Sequence, residues 1–135
     1  MGLKRRSREL ALQMLFQMDM GTVKLVDLEE IFLPQASAPE AAKIMALKIT
    51  RATWNKLSDI DGHLRGLAAN WDLTRMAAVD RNILRLAAYE ILYDSEIPKS
   101  VAINEAIEIV KRYSTDESSK FVNGILDKLE KRVSN

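Results

Sequence analysis

The chain has 135 residues, 47% of them apolar and 29% charged, a balance that lets one domain bury a core and stay soluble. It has no cysteine and one histidine, His63, which excludes disulfides, thiolate metal sites, cysteine nucleophiles and histidine relays. Net charge is +1, but Lys4, Arg5, Arg6 and Arg8 against Glu9 leave +3 within residues 1–10 and therefore −2 over the rest, the distribution of a localised anion-binding patch. No apolar run approaches the roughly 18 residues of a membrane span. The basic N-terminus leads into an amphipathic stretch rather than a signal peptide, so a cytoplasmic protein is expected.

Helical periodicity runs through the chain with no convincing period-2 strand, which predicts an all-α bundle of about six to seven helices. A first helix is expected over 3–20, ended near Gly21. A short one over 27–34 is capped by Asp27 and stopped near Pro34. The Gln35–Pro39 stretch is the best linker. A longer helical region follows over 39–69, broken near Ser58 or Gly62. The next helix covers 73–94, with Asp72 as N-cap and Asp80 as a second start. Pro98 marks entry to a helix over 99–113. The last covers 116–132, and Ser114 with Glu117 three residues on reads as a capping box.

At 100° per residue, Leu3, Leu10, Ala11, Met14, Leu15 and Met18 form a core stripe on the first helix. Arg5, Arg6, Arg8, Glu9, Leu12, Gln13, Phe16 and Gln17 fall on the other side. Arginine pairs with phosphate and stacks on bases, and an exposed aromatic offers a platform for an unpaired base. This face suits RNA. It also suits a second bundle packing over Leu12 and Phe16 with the arginines solvated. The cations sit where the helix dipole disfavours positive charge, which mildly favours a functional reason for them.

In the helix near 79–93, Val79, Ile83, Leu86, Ala87 and Leu92 mark a buried side, while Arg81, Arg85 and Tyr89 line one strip. Arg85 either meets a partner or pairs with a carboxylate such as Glu90 or Glu105. Asn104 and Glu105 sit beside the apolar surface of the following helix, where polar groups usually fix a helix crossing. In the last helix Phe121, Val122, Ile125, Leu126, Leu129 and Val133 form a core stripe, flanked by Lys120 and Asn123. Phe121, at the helix start, is either core or a stacking platform. Gly124 inside a helix suggests that another backbone comes close. Phosphate-binding and catalytic motifs such as G-x-x-x-x-G-K-[ST], G-x-G-x-x-G, H-E-x-x-H and G-x-S-x-G are missing, so no catalytic site, metal or cofactor is expected.

The stretch from Val79 to Glu90, continuing through Ile97-Pro98, Val101–Ala106 and Lys120–Asp127, resembles the NusB family in block order and spacing. The arginine-rich Arg5-Arg6-Ser7-Arg8-Glu9 resembles that family's first helix, with Phe16 where tyrosine is common. Residues 21–70 match only in helical character. The resemblance implies a single domain over 1–135, made of a helical subdomain over about 1–70 packed on another over about 71–135. It implies a transcription antitermination factor that binds boxA-type ribosomal RNA jointly with the ribosomal protein NusE, within an RNA polymerase antitermination complex. Neither a membrane nor a small-molecule substrate is implied. Carried over residue by residue, RNA contacts fall on Arg5, Arg6, Arg8, Gln13, Phe16, Arg81, Arg85, Lys120 and Phe121. Asn82 stands where the family often has a small apolar residue. The alternatives are a pure protein-interaction module or part of a ribosomal RNA cytosine methyltransferase, the latter disfavoured by the expectation that no catalytic domain follows Asn135.

Overall fold

The structure, a computed structural model, describes residues 2–68 and 72–134. Its main helices are α1 (Leu3–Met20), α4 (Glu40–Asn55), α5 (Leu57–Arg65), α6 (Ala78–Tyr93), α7 (Lys99–Tyr113) and α8 (Asp116–Ser134). Between α1 and α4 the short helices α2 (Leu25–Asp27) and α3 (Leu33–Gln35) flank a π-helical turn, Leu28–Phe32. No strand occurs among the described residues, so the all-α expectation holds.

Local signals explain most boundaries, with some changes of role. Asp27 does not cap from outside; it lies within the first turn and accepts the Lys24 N–H at 3.2 Å. Helix continues through Pro34, which sits at the start of the closing turn, where proline needs no acceptor. The break in the 39–69 region falls at Lys56, with φ −105° and ψ 13°, rather than at Ser58 or Gly62. Asp72 does cap, but what it caps is a 3-10 turn, Leu73–Arg75, by accepting the Thr74 N–H at 3.0 Å. The following helix therefore begins at Ala78, and Asp80 sits inside its first turn instead of capping it. At α8 the Thr115 hydroxyl accepts the Ser118 N–H at 3.1 Å, so Thr115 replaces Ser114 as the cap.

Helix α1 is the hub, since apolar residues on different sides of it enter two separate clusters. Leu10, Met14 and Met18 pack with Leu28, Leu33, Ala42 and Ala46. Ala11, Leu12 and Leu15 join the larger cluster built from α5, α6, α7 and α8. The predicted stripe is thus buried apart from Leu3, which is 42% exposed, and Leu12 is buried as well. A helix flanked by two cores leaves little room for a solvated face, which fixes the fate of its charges below. Ile60 and Leu64 bring α5 into the larger cluster, on the side of the later helices.

Gly124 departs from expectation, because a Cβ there would meet nothing within 4 Å. No neighbouring backbone among the described residues explains it. Gly124→Ala is therefore expected to stabilise the protein by about 1 kcal/mol through helix propensity alone. Urea denaturation checks this, and an unchanged or lower midpoint would contradict the open placement.

Candidate nucleic-acid interface

The nine predicted contact residues divide into a buried and a surface set. Arg8 and Arg81 were expected on outward strips, and Arg85 either against a partner or paired with a carboxylate; all three are at least nine-tenths buried. Arg8 donates from Nε and Nη2 to the two carboxylate oxygens of Glu90 at 2.8 and 3.0 Å. Arg85 makes the same fork on Asp61, both bonds at 2.8 Å, so its partner is neither Glu90 nor Glu105. Arg81 donates to Asp19 at 2.8 Å and to the carbonyls of Leu73 and Met76, each at 3.2 Å. Planar guanidinium forks on carboxylates are the geometry in which arginine tolerates burial.

Asn82 completes this inner network. It is fully buried, donates to Asp19 at 2.9 Å and to the Ala78 carbonyl at 2.8 Å, and accepts from Arg85 at 3.2 Å. Burial alone would raise the Asp19 carboxyl, but hydrogen bonds from Asn82 and Arg81 and the nearby charges of Arg85 and Arg81 outweigh it, holding Asp19 below the ordinary aspartate range.

Arg5 and Arg6 lie nearer the surface, and both are engaged. Arg5 pairs with Glu105, its Nε bond measuring 3.1 Å, and this hydrogen bond leads the causes that keep Glu105 below the usual glutamate range. Glu105 thus fixes the crossing of α7 on α1. Arg6 reaches the Ser37 carbonyl at 3.0 Å and the buried Glu9 at 3.4 Å, while Arg112 of α7 donates to the other Glu9 oxygen at 3.1 Å.

The remaining predicted residues lie along one face. Gln13 and Phe16 line a shallow apolar groove of about 300 Å³ with Leu12, Gln17, Val79 and Tyr113. Beside it, across the neighbours of Val79 and Tyr113, lies a cleft of about 500 Å³ between the N-terminal ends of α6 and α8. Asp80, Thr115, Ser118, Lys120 and Phe121 line that cleft. Phe121 is half-buried and packs against the larger cluster, as the core reading expects of it. Lys120 is exposed.

Sequence reasoning missed Asp19, Asp61 and Glu90 as the acceptors of the three buried arginines. One signal was available. Ile83, Leu84, Leu86, Ala87 and Ala88 make α6 apolar on nearly every side, and a helix buried all round must pair any arginine it carries.

These features define a class: an all-α bundle wrapped on a buried ion-paired first helix, with an apolar groove and an aromatic-lined cleft on one face. The NusB family model matches residues 5–131. A relative from Desulfitobacterium hafniense named transcription antitermination protein NusB is 47% identical over 133 residues, covering 96% of this chain and 89% of the relative. Another of that name from Chloroherpeton thalassium is 46% identical over 125 residues, and the match covers 92% of this chain but only 59% of that longer protein. The solved T. maritima NusB superposes with a TM-score of 0.82 at 42% identity, covering 95% of this chain and 90% of that one. Antitermination factor NusB, solved with NusE and double-stranded RNA, shares the fold with a TM-score of 0.81 at 21% identity, covering 96% and 97%. The chain belongs to the NusB family, one of transcription antitermination proteins rather than enzymes.

The Asp19 and Glu105 ion pairs give the stability a definite acid dependence. Asp19 and Glu105 titrate lower in the folded state than in the unfolded chain, so their contribution is present above the unfolded values and is lost as pH falls through the folded ones. Unfolding free energy is expected to start falling below about pH 5 and to keep falling beneath the ordinary carboxylate range. Asp19→Asn should flatten that slope in pH-dependent denaturation. An unchanged slope would detach Asp19 from the network.

Proposed function

We propose that this protein is a non-catalytic antitermination factor that binds a boxA-type ribosomal RNA leader together with NusE and so joins an RNA polymerase antitermination complex. One observation carries the RNA reading: the half-buried Phe121 and the exposed Lys120 border one cleft at the start of α8. An aromatic face for an unpaired base beside a cation for its phosphate is the minimal single-strand platform. The solved fold relative bound to NusE and RNA supports the same assignment.

Burial changes which residues the proposal uses. Arg8, Arg81 and Arg85 act from inside by shaping the face, since a phosphate would have to displace a paired carboxylate to reach them. The contact surface is Gln13, Phe16, Lys120 and Phe121, extended at the basic end by Lys4, Arg5 and Arg6. Arg5 and Arg6 keep partial exposure despite their ion pairs. The apolar groove at Phe16 offers NusE a contact that does not compete with the phosphate cations.

Titrating boxA-type RNA against salt tests this, with and without NusE. Log affinity is expected to fall linearly with log salt, and Lys120→Ala should make the slope shallower by roughly 0.7, the single-strand value per phosphate. NusE should tighten binding. An affinity unmoved by salt would overturn the RNA reading, and NusE binding without any RNA affinity would replace it with a protein-interaction module.

A further inference from the structure

We propose that RNA leaving the cleft at the start of α8 runs on along that helix, its phosphates bound by Lys128 and Arg132 beside a second cleft at α5. The inference rests on the RNA reading above and adds to it a second contact that is independent of base sequence.

The observation behind it is a contrast among cations. Arg5, Arg6 and Arg8 of α1 each face a carboxylate. Lys120, Lys128 and Arg132 of α8 are exposed, and none of them has an ion pair among the described residues. A phosphate that reaches α8 displaces no carboxylate, whereas one that reaches Arg5 or Arg6 competes with Glu105 or Glu9.

Position joins these cations to the site already described. At 100° per residue, Phe121, Lys128 and Arg132 lie on one side of α8, within about 40° of each other. Phe121 borders the first cleft, and Arg132 lines a second one of about 620 Å³ together with Lys56 and His63. Asp59 is the carboxylate of that cleft, and it lies 3.8 Å from His63 Nε2. Lys56, whose ammonium stands over the Tyr93 ring at 5.2 Å, adds a further positive charge. Asp127 and Glu130 fall about 120° and 180° round α8 from the Lys128–Arg132 strip, so their charges face elsewhere. No large apolar side chain is exposed on α8. The strip therefore suits a phosphate backbone, and it lacks the apolar anchors that a docked protein helix needs.

Gly66 supports the placement of Arg132. Its φ of −69° is open to any residue, so the backbone does not require glycine there. A Cβ at that position would come within 3.1 Å of Arg132 Nη1, so the missing side chain leaves the guanidinium its seat at the end of α5. Lys128 stands one turn before Arg132, roughly 6 Å along the axis, so the two cations can take separate phosphates of one strand.

Fluorescence anisotropy with boxA-type RNA, bare or extended by about six nucleotides at either end, isolates this track. About six stacked phosphates at roughly 3.4 Å each cover the length of α8 from Phe121 to Arg132. One of the two extended RNAs is expected to bind more tightly than the bare one at low salt. Its salt slope should be steeper by roughly 1.4, from two contacts at about 0.7 each. The double variant Lys128→Ala with Arg132→Ala should bind the bare RNA as before and lose both the gain and the added slope. An extension with a neutral methylphosphonate backbone should add nothing, and it asks the question of the unmutated chain even where the double variant fails to fold. Extended RNAs that bind no more tightly than the bare one would overturn the inference while leaving the RNA reading intact. A gain that survives the double variant or the neutral backbone would do the same. So would a double variant that weakens the bare RNA equally, since Lys128 and Arg132 would then belong to the first site. No binding of bare RNA by the unmutated protein would overturn the RNA reading itself.

Discussion

Arginine inside the bundle is the constraint on which the structure depends. Arg8, Arg81 and Arg85 are each taken from water and must be matched oxygen by oxygen. Their acceptors come from distant parts of the chain: Glu90 lies 82 residues from Arg8, Asp19 is 62 from Arg81, and Asp61 is 24 from Arg85. Each ion pair therefore fixes a helix crossing. Glu90 and Asp19 bind the two ends of α1 to α6, and Asp61 draws α5 onto the same helix. Apolar packing drives collapse, but it is tolerant of small slides; a bidentate guanidinium is not. The ion pairs set the register of a bundle whose hydrophobic surfaces alone would fit in several ways.

That arrangement decides what remains for function. With its strongest cations turned inward, the protein presents a moderately basic and partly apolar outer face. The Phe16 groove and the Phe121 cleft adjoin because Val79 and Asp80 are neighbours in α6, and because α7 ends at Tyr113 just before Thr115 opens α8. The Arg81 and Asn82 contacts to Asp19 pin the start of α6, and so they place Asp80 at the cleft. Core and site are connected through the backbone of one helical turn. An antitermination factor with a neutral overall balance gains from such a design, since a localised face limits the non-specific attraction to nucleic acid that a strongly basic surface would bring.

Much of this was legible in the sequence. The six principal helices followed from 3.6-residue periodicity, and the α1 and α8 stripes were correct nearly residue by residue. The family resemblance rested chiefly on blocks in α6, α7 and α8, which supply most of the larger core cluster. What escaped was pairing. Periodicity reports the side of a helix, not its depth, so α1 looked amphipathic when it is sandwiched between two clusters. Charged residues were read outward by default, and the carboxylates that make burial possible lie too far along the chain for local spacing to suggest. Phe121 stayed ambiguous for a sound reason, because it packs against the larger cluster and also borders the cleft at the start of α8. Gly124 misled in the opposite sense, since a helical glycine was expected to admit a neighbouring backbone and faces open space.

The central claim is that the buried arginines hold the fold and do not themselves carry the ligand. Chemical denaturation of Arg85→Ala tests it most directly, with RNA titration of whatever folded protein remains. Removing one partner from a buried pair strands Asp61, so unfolding free energy should fall by about 3–5 kcal/mol. A protein that unfolds within about 0.5 kcal/mol of the parent yet loses its affinity for RNA would contradict the account and return Arg85 to the binding surface.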